Sequence, residues 1–437
     1  MLTNMKKSNF GWVLVLALSL FPVILWLLSS PFSSRFNGFA GSAASFGQVF
    51  GLVGAAMFAV NLILSTRLRF VEKIFFGLNR VYYRHSQLGQ VAFMLLLFHP
   101  LFLLPKYAGG SFFQAALFLL PGSNWPINFG WLALAGMILL IVATLYLPLR
   151  YNFWKVTHKF LGLFFFFASL HIWLIPSDVS SYLPLRVYML GLSMLGLSAY
   201  VYHTLLGKFF TKKLHYVVKS VRLLNDNVVN IVMEPLGPEL RFKPGQFVFV
   251  SFKGKGISRE SHPFSITSSP GEKNISITTK KLGDYTDKLD KVPVEAMAEV
   301  EGPFGVFSYT LAKNNRQIWI AGGIGITPFV SMAKSLKPNG DYDIDLYYCL
   351  RNEREAVYLE DLKNIAQALR GGFKIIPFYS DAEGFINADV IERESEKLND
   401  KDIFICAPPP MIASLKAQFL AKGISKKLIY SEEFAFN

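Results

Sequence analysis

Six long apolar segments occupy the first half of the chain and constrain its fold more than any other feature. They lie at about 11–29, 44–64, 86–105, 128–148, 157–176 and 183–206. Each is near the length of about 20 residues that a helix needs to cross the hydrocarbon core of a bilayer, and short loops separate them. After about residue 206 the composition becomes that of an ordinary soluble protein. The sequence therefore predicts a six-helix transmembrane bundle followed by a soluble half.

Basic residues cluster at alternate ends of these segments, which indicates how the bundle is oriented. The net charge is +14, and most of the lysines and arginines of the first half lie in four groups: Lys6 and Lys7; Arg67, Arg69, Lys73, Arg80 and Arg84; Arg150, Lys155 and Lys159; and Lys208, Lys212 and Lys213. The intervening loops hold few, with Arg35, Lys106 and Arg186. By the positive-inside rule we expect a multi-pass protein of the cell membrane, with its N-terminus and soluble half in the cytoplasm. The positive charge thus reflects membrane topology, and no nucleic-acid partner is expected.

Two of the apolar segments carry paired histidines. His85 and His99 lie fourteen positions apart on the third segment, and His158 and His171 lie thirteen apart on the fifth. At a rise of about 1.5 Å per residue each pair spans roughly 20 Å, most of the hydrocarbon thickness. Both segments run in the same direction. The pattern predicts two metal centres, an inner one at His85 and His158 and an outer one at His99 and His171.

Helical phase supports the first pair better than the second. Fourteen residues return to within about 40° of the starting face, whereas thirteen leave the side chains about 140° apart on an ideal helix. The fifth segment therefore requires a kink, overwinding or oblique packing near Gly162. Neutral imidazoles are natural ligands of haem iron, whereas zinc would need further ligands at the same depth. Two non-covalently bound b-type haems are predicted, and histidines that merely pack the helices or lie at the interface are the alternative.

The soluble half shows two successive patterns. Short β-like runs at 228–232, 246–252 and 275–278, separated by turns containing Pro-Gly, predict an antiparallel β-barrel over residues 211–312. Repeated strand, glycine turn and helix over residues 313–437 then predict an α/β nucleotide-binding domain. Its buried strands are expected at 318–321, 343–348 and 403–406. With residues 1–210 as the membrane bundle, the fold class is a multi-domain membrane protein.

Several motifs in the soluble half carry its chemistry. Ala-Gly-Gly-Ile-Gly-Ile-Thr-Pro at 321–328 follows a strand and opens a helix, where a pyrophosphate can approach the backbone, although a structural tight turn would look the same. His-Pro-Phe-Ser-Ile-Thr-Ser at 262–268 follows Pro-Gly-Gln-Phe at 244–247. Leu-Gly-Asp-Tyr-Thr occurs at 282–286 and Glu-Gly-Pro-Phe-Gly at 301–305. In this order, and with the four histidines, the chain resembles the NADPH oxidase and ferric reductase family, whose soluble half is of the ferredoxin–NADP reductase type.

The resemblance implies a role for each matching residue. FAD would be bound by His262, Pro263, Phe264, Ser265, Thr267, Ser268, Gly283, Asp284, Tyr285 and Thr286. NADPH or NADH would be bound by Gly322, Gly323, Gly325, Thr327 and Pro328. Arg351 would meet the 2′-phosphate of NADPH, or it is an ordinary surface arginine. Cys406, in Cys-Ala-Pro where the family has Cys-Gly-Pro, would position the nicotinamide, and Phe434 or alternatively Phe436 would cover the flavin.

The resemblance also implies an activity. Electrons from NAD(P)H would pass through FAD and the two haems to an acceptor outside the membrane, with O2 giving superoxide as the favoured reaction. A ferric-chelate reductase is the alternative, because Leu103 stands where eukaryotic NADPH oxidases carry a further histidine. Reduction of a quinone or a partner protein, and a transporter or adaptor with structural histidines, are further alternatives. The compact build indicates no obligate protein partner.

Overall fold

The computed structural model describes residues 2–75, 77–107, 111–147, 151–207, 212–254, 257–312 and 314–432. The chain divides into two compact units, Met1–Phe210 and Thr211–Asn437.

The first unit is helical within its described residues. In chain order the helices are α1 (Leu2–Leu28), α2 (Phe32–Arg35), α3 (Gly38–Leu64), α4 (Arg69–Phe75), α5 (Leu78–Tyr107), α6 (Phe112–Phe118), α7 (Trp125–Tyr146), α8 (Tyr151–Lys159), α9 (Leu161–Leu174), α10 (Asp178–Ser181) and α11 (Leu183–Tyr200), the last continued by a π-helical turn at Val201–Leu205. Six stretches are long and apolar enough to span a membrane: Phe10–Leu28, Gly38–Leu64, Leu78–Tyr107, Trp125–Ala143, Phe153–Leu174 and Leu183–Leu205. The six predicted segments are confirmed, and the short helices in the loops were not predicted.

Helix α3 is the central helix of this unit. About two thirds of its apolar window is buried (67%), against 28% or less for each of the other five stretches. Glycines allow this burial: a Cβ at Gly54 would lie 2.9 Å from Leu96 of α5, and a Cβ at Gly196 of α11 would lie 2.9 Å from the carbonyl oxygen of Ala59. Close backbone approach through small residues is typical of helix packing in membranes. Helix α3 thereby packs directly against α5 and α11.

The fifth predicted segment is interrupted, as its histidine spacing requires. Helix α8 ends at Lys159 and α9 begins at Leu161, with Phe160 between them at φ −67° and ψ −13°. The Phe160 amide donates to the carbonyl of Thr157 at 3.0 Å, a 3₁₀-type bond that tightens the turn. Tighter winding turns His171 toward the face that carries His158. The distortion lies two residues before Gly162, which instead lets α9 pack against the ring of Tyr200.

A buried polar network connects α1, α2, α3 and α10. Arg35 Nη1 pairs with Asp178 Oδ2 at 3.1 Å, and the guanidinium lies 3.8 Å from the centre of the Trp26 ring. Trp26 Nε1 donates to Asp178 at 3.0 Å and to Gln48 Oε1 at 3.2 Å. A buried charge is costly unless it is paired. The network therefore fixes the connections between these helices at one end of the bundle.

The second unit begins with a six-stranded antiparallel sheet. Its strands are β1 (Leu214–Asn225), β2 (Val228–Pro235), β3 (Phe247–Lys253), β4 (His262–Ser265), β5 (Ile275–Lys280) and β6 (Met297–Phe304), in the order β4-β3-β6-β1-β2-β5. An isolated bridge between Ile266 and Ile277 joins the two edges, and so the sheet closes on itself around an apolar core. The predicted antiparallel barrel is confirmed.

A parallel five-stranded sheet follows. Its strands are β7 (Arg316–Gly322), β8 (Asp343–Leu350), β9 (Phe373–Tyr379), β10 (Asp402–Cys406) and β11 (Ile429–Glu432), in the order β11-β10-β7-β8-β9, and its helices are α12 (Thr327–Lys334), α13 (Leu359–Ala368), α14 (Ser380–Glu383), α15 (Ala388–Ser395) and α16 (Pro409–Ala421). Apolar clusters cover both of its faces. The chain leaves β7 for β8 on one side and returns to β10 on the other, so the topological switch point lies between β7 and β10. The predicted fold class is thus confirmed.

Candidate functional site

The four histidines form two facing pairs. The ring centres of His85 and His158 are 6.1 Å apart, and those of His99 and His171 are 6.4 Å apart. Two metal–imidazole bonds of roughly 2.0 Å each, plus roughly 1 Å from each Nε2 to its ring centre, give roughly 6 Å between ring centres. Among the described residues, no group of three or more His, Cys, Asp or Glu side chains could hold a metal ion. A two-ligand donor set of this separation fits haem, whose porphyrin supplies the other four ligands, better than zinc.

The outer pair is held by the same arrangement on two neighbouring helices. His99 Nδ1 lies 2.7 Å from the carbonyl of Gly47 on α3, and His171 Nδ1 lies 2.7 Å from the carbonyl of Pro126 on α7. Because a carbonyl oxygen only accepts, Nδ1 carries the proton in both rings and Nε2 is left for a metal. Such bonds orient a ligating imidazole and raise its basicity.

A glycine lies one helical turn after each of these carbonyls. A Cβ at Gly51 would lie 2.7 Å from His99 Nδ1, and a Cβ at Gly130 would lie 2.9 Å from His171 Nδ1. These glycines therefore make room for the imidazole that the preceding carbonyl holds. The sequence interpretation missed both glycines. On each supporting helix a glycine follows the accepting residue by four positions, and this pattern can be recognised once the packing partners of the helices are known.

The inner pair has different surroundings. His85 Nδ1 lies 3.1 Å from the carbonyl of Asn61, a longer contact than either outer bond. The ring of Trp154, one turn before His158, stacks on His158 with 5.2 Å between centres and 24° between planes. Between the two pairs, Phe58 of α3 stacks on the fully buried Phe165 of α9 at 5.2 Å. The two candidate centres are therefore not equivalent.

In the barrel, the predicted flavin motif and the segment at 282–286 come together. The rings of His262 and Tyr285 stack with 3.9 Å between centres and 23° between planes. Glu260 Oε2 lies 3.1 Å from His262 Nε2 and so fixes the histidine ring. Burial raises the pKa of Tyr285, so its hydroxyl stays neutral. Ser265 Oγ is buried and has no protein hydrogen-bond partner in the described structure, as expected of a hydroxyl that a bound flavin would satisfy.

The remaining predicted flavin residues divide into an exposed group and a buried group. Gly283 and Asp284 are exposed, and a Cβ at Gly283 would meet nothing within 4 Å. Thr286 Oγ1 accepts from the amide of Leu282 at 2.9 Å and so closes that loop. Pro263 is partly exposed and Phe264 is buried in the barrel core. Thr267 and Ser268 are fully buried and bond to other protein groups.

The glycine turn lies at the switch point of the parallel sheet. It leaves β7 at Gly322, passes through a 3₁₀ turn at Gly323–Ile326 and enters α12, in which Pro328 occupies the first turn and Thr327 Oγ1 donates to the carbonyl of Ile324 at 3.1 Å. A Cβ at Gly325 would collide with the carbonyl of Cys406, so this position must be glycine for the turn to pack on β10. Gly323 has φ +56° and open space around its Cα, as backbone that receives a ligand requires.

Three further predicted residues surround this turn. The methyl group of Ala407 packs on the glycine turn, because a Cβ added at Gly322 would lie only 2.8 Å from the Cβ of Ala407. Cys406 is fully buried, and burial raises the pKa of its thiol well above the ordinary value, which keeps it neutral. Arg351 is exposed one residue after β8, beside the turn that follows β7. Phe434 and Phe436 lie outside the described residues.

Comparisons with known proteins support this division of the chain. Three family models match: "Ferric reductase like transmembrane component" over residues 50–169, "FAD-binding domain" over 213–325 and "Oxidoreductase NAD-binding domain" over 319–417. The chain is 26% identical over 241 residues to "Flavohemoprotein" of Rhizobium meliloti (strain 1021), which covers 50% of this chain and 60% of that protein. It is 22% identical to "Propane 2-monooxygenase, reductase component" of Rhodococcus jostii (strain RHA1), over 50% of this chain and 62% of that protein.

One solved structure of similar fold is flavohemoglobin from Malassezia yamatoensis with bound FAD and heme, at a TM-score of 0.52 and 16% identity, covering 91% of this chain and 100% of that chain. At this identity the likeness concerns the fold alone. The chain spans about 60% of the length of the curated relatives it matches. The family models match a ferric reductase-like transmembrane component, an FAD-binding domain and an NAD-binding domain, in the order that the motifs predicted.

Proposed function

We propose that this chain, which combines the ferric reductase-like transmembrane component with the FAD-binding and NAD-binding domains of the ferric reductase and NADPH oxidase-like family, carries electrons from cytoplasmic NAD(P)H across a membrane. The path would use FAD and two b-type haems, and O2 outside the membrane would be reduced to superoxide. The cytoplasmic position of the N-terminus and of the soluble unit rests on the basic clusters at alternate ends of the spans.

The geometry of the two histidine pairs carries the proposal. Their ring centres are separated by 6.1 and 6.4 Å, the separation that two imidazoles on opposite sides of one metal require. At three of the four histidines, a backbone carbonyl faces Nδ1 and leaves Nε2 for a metal. Histidines that only packed helices would need neither property. These observations favour haem ligation over a structural role.

The soluble unit would take electrons from NAD(P)H in pairs and would release them singly to the membrane unit. When bound, FAD would supply the conversion of a two-electron hydride into the single electrons that haem iron can accept. The protein would provide placement: the His262–Tyr285 stack and the Ser265 hydroxyl for the flavin, and the turn at Gly322–Pro328 for the nucleotide. Burial raises the pKa of Cys406, so its thiol stays neutral and would pack near the nicotinamide without acting as a base.

The acceptor is inferred from the surroundings of His99. A Cβ at Gly47, whose carbonyl holds His99, would lie 3.1 Å from Leu103 Cδ2. Leu103 therefore packs against Gly47, one helical turn after His99, at the position where eukaryotic NADPH oxidases carry a histidine. The missing imidazole weighs against a dedicated O2 site, whereas the apolar side chain that replaces it still admits a small neutral molecule such as O2 more readily than a hydrated ferric chelate. Ferric-chelate reduction stays the second candidate, because the matched family model is that of ferric reductases.

An absorption spectrum tests the haems and an acceptor assay tests the product. We expect the purified full chain, supplied with haem and FAD, to show a Soret band and to sharpen its α and β bands on reduction by dithionite. With NADPH it should reduce cytochrome c in a reaction that superoxide dismutase suppresses. Undiminished reduction with the dismutase present would exclude superoxide as the main product, and absent haem bands would exclude the electron path.

A histidine substitution tests the order of the centres. His99→Leu is expected to remove one haem and external acceptor reduction while NADPH still reduces the flavin. His215→Leu, at an exposed position of β1, is the matched control and should leave both reactions unchanged. Unchanged acceptor reduction in His99→Leu would show that the assigned path is wrong.

A further inference from the structure

A buried to half-buried set of polar side chains joins the barrel to the nucleotide-binding domain within the second unit. The set comprises Asn230, Thr267, Ser268, Thr278, Ser331 and Tyr358. The Tyr358 hydroxyl lies 2.6 Å from Thr278 Oγ1 and accepts from Asn230 Nδ2 at 3.0 Å. Asn230 on β2 and Thr278 on β5 lie directly opposite each other in the antiparallel register. One tyrosine of the nucleotide-binding domain is thus bonded to two adjacent barrel strands.

The backbone at Tyr358 directs its ring at the barrel. Tyr358 has φ +63° and ψ +6°, a left-handed conformation that few non-glycine residues adopt. Its neighbour Val357 donates its amide to the hydroxyl of Tyr348, and the Tyr358 carbonyl accepts from Leu362 at 2.9 Å in the first turn of α13. Strained conformations of this kind persist where the surrounding structure fixes them, and they cluster at functional sites.

A second bond connects the other nucleotide-binding element to the flavin motif. Ser331 Oγ, on α12 directly after the glycine turn, donates to the carbonyl of Ser268 at 2.7 Å. Thr267 Oγ1, next to Ser268, lies 2.9 Å from Ser276 Oγ and 3.3 Å from Thr278 Oγ1. The end of the flavin motif is therefore hydrogen-bonded to Ser331 through Ser268 and to Thr278, the partner of Tyr358, through Thr267.

The Tyr358–Thr278 and Ser331–Ser268 hydrogen bonds join the elements to which the proposed function assigns NAD(P)H and FAD. Tyr358 ends the loop that Arg351 begins, and that loop leaves β8 beside the glycine turn because Gly322 pairs with Cys349. Thr267 and Ser268 end the flavin motif. Both nucleotide-binding elements are thus hydrogen-bonded to the flavin-binding barrel through side-chain hydroxyl groups.

We propose that Tyr358 is a positioning residue, which holds the two domains of the second unit at the spacing that hydride transfer from NAD(P)H to FAD requires. Reacting atoms must approach to about 3–3.5 Å, and small displacements lower the rate steeply. The inference rests on the hydride step of the proposed function and is independent of the haems.

The test compares variants of the full chain by anaerobic stopped-flow mixing with NADPH. Tyr358→Phe keeps the ring and removes the hydroxyl, and Thr278→Val removes its main partner. We expect each variant to lower the limiting rate of flavin reduction about fivefold to tenfold, the change that one ordinary hydrogen bond makes in an equilibrium. The apparent Kd for NADPH should change less than twofold, the long-wavelength charge-transfer band should weaken, and the double variant should be no slower than Tyr358→Phe.

Tyr347→Phe is the matched control. The Tyr347 hydroxyl is also buried and lies 2.6 Å from Ser395 Oγ, but both residues belong to the nucleotide-binding domain. We expect it to lower thermal stability without changing the rate of flavin reduction.

A wild-type limiting rate in Tyr358→Phe would overturn the inference, as would additive losses in the double variant, a change confined to the Kd, or an equal loss in the Tyr347→Phe control. Failure of NADPH and NADH to reduce the flavin of the wild-type chain would instead overturn the proposed function itself, and the inference with it.

Discussion

Replacement of Gly51 by alanine is expected to remove the proposed outer haem while the bundle stays folded. The added Cβ would lie 2.7 Å from His99 Nδ1 and 2.8 Å from Cε1, closer than carbon atoms approach in folded proteins. The ring cannot move away freely, because its Nδ1 donates to the Gly47 carbonyl at 2.7 Å. The methyl group must therefore displace the imidazole and break this hydrogen bond.

Gly51→Ala should lower the metal affinity of the histidine pair more than it lowers the folding stability of the bundle. Overpacking costs about 1–3 kcal/mol, while alanine gains about 1 kcal/mol over glycine in a helix. The net stability of the bundle should therefore change by no more than about 2 kcal/mol. Loss of a hydrogen bond that orients a metal-ligating histidine typically lowers metal affinity about 10-fold to 100-fold. We expect the haem content to fall from two per chain towards one.

Haem content per chain, measured as the pyridine haemochrome against protein concentration, is the assay. Gly130→Ala makes the same change beside His171, with an added Cβ 2.9 Å from Nδ1, and should have the same effect. Gly191→Ala is the matched control, because a Cβ there meets nothing within 4 Å. Two haems per chain and an unchanged spectrum in Gly51→Ala would refute the view that α3 positions His99.

Three further outcomes are expected. Arg351→Ala should raise the KM for NADPH about tenfold and that for NADH less than twofold, if the guanidinium meets the 2′-phosphate; equal changes would place Arg351 outside the nucleotide site. Burial raises the pKa of Cys349 to about 12 and that of Cys406 well above its ordinary value, so at pH 8 both thiols stay protonated in the folded chain and iodoacetamide should label them only after unfolding in urea; rapid labelling of native protein would contradict this. The outer histidines have shorter Nδ1 bonds than His85, which stabilises the oxidised metal more strongly, so the lower of two midpoint potentials in a redox titration should be the one lost in Gly51→Ala.

The sequence predicted the architecture well because its signals are periodic and local. Span length and strand–glycine–helix repeats each follow from short stretches of chain, and the fold confirms the six spans and the parallel sheet that they indicated. The strands that were not predicted lack a clear local signal. Polar residues interrupt the apolar ones in β1 and β6, β9 contains a proline, and β4 and β11 have four residues each. Their pairing with distant strands, rather than their own composition, determines them.

The candidate site was predictable only as far as its motifs reach. Thr267 and Ser268 belong to the flavin motif by sequence, yet in the fold their polar groups bond to Ser276, Thr278 and Ser331. Nothing local distinguishes a hydroxyl that faces a cofactor from one that joins two domains. Tyr358 gave no sequence signal at all, because its role depends on a left-handed backbone and on strands more than 75 residues away.

The two histidine pairs show why spacing along one helix is an incomplete guide to a metal centre in a membrane. Fourteen residues separate His85 from His99 and thirteen separate His158 from His171, yet the ring separations in the two pairs differ by only a few tenths of an ångström. The interruption at Phe160 accounts for part of this agreement by tightening one turn. The rest comes from the supporting helices, since a carbonyl and a glycine one turn later hold each outer imidazole from outside its own helix. The position of the outer centre is therefore set as much by α3 and α7 as by the helices that carry the ligands.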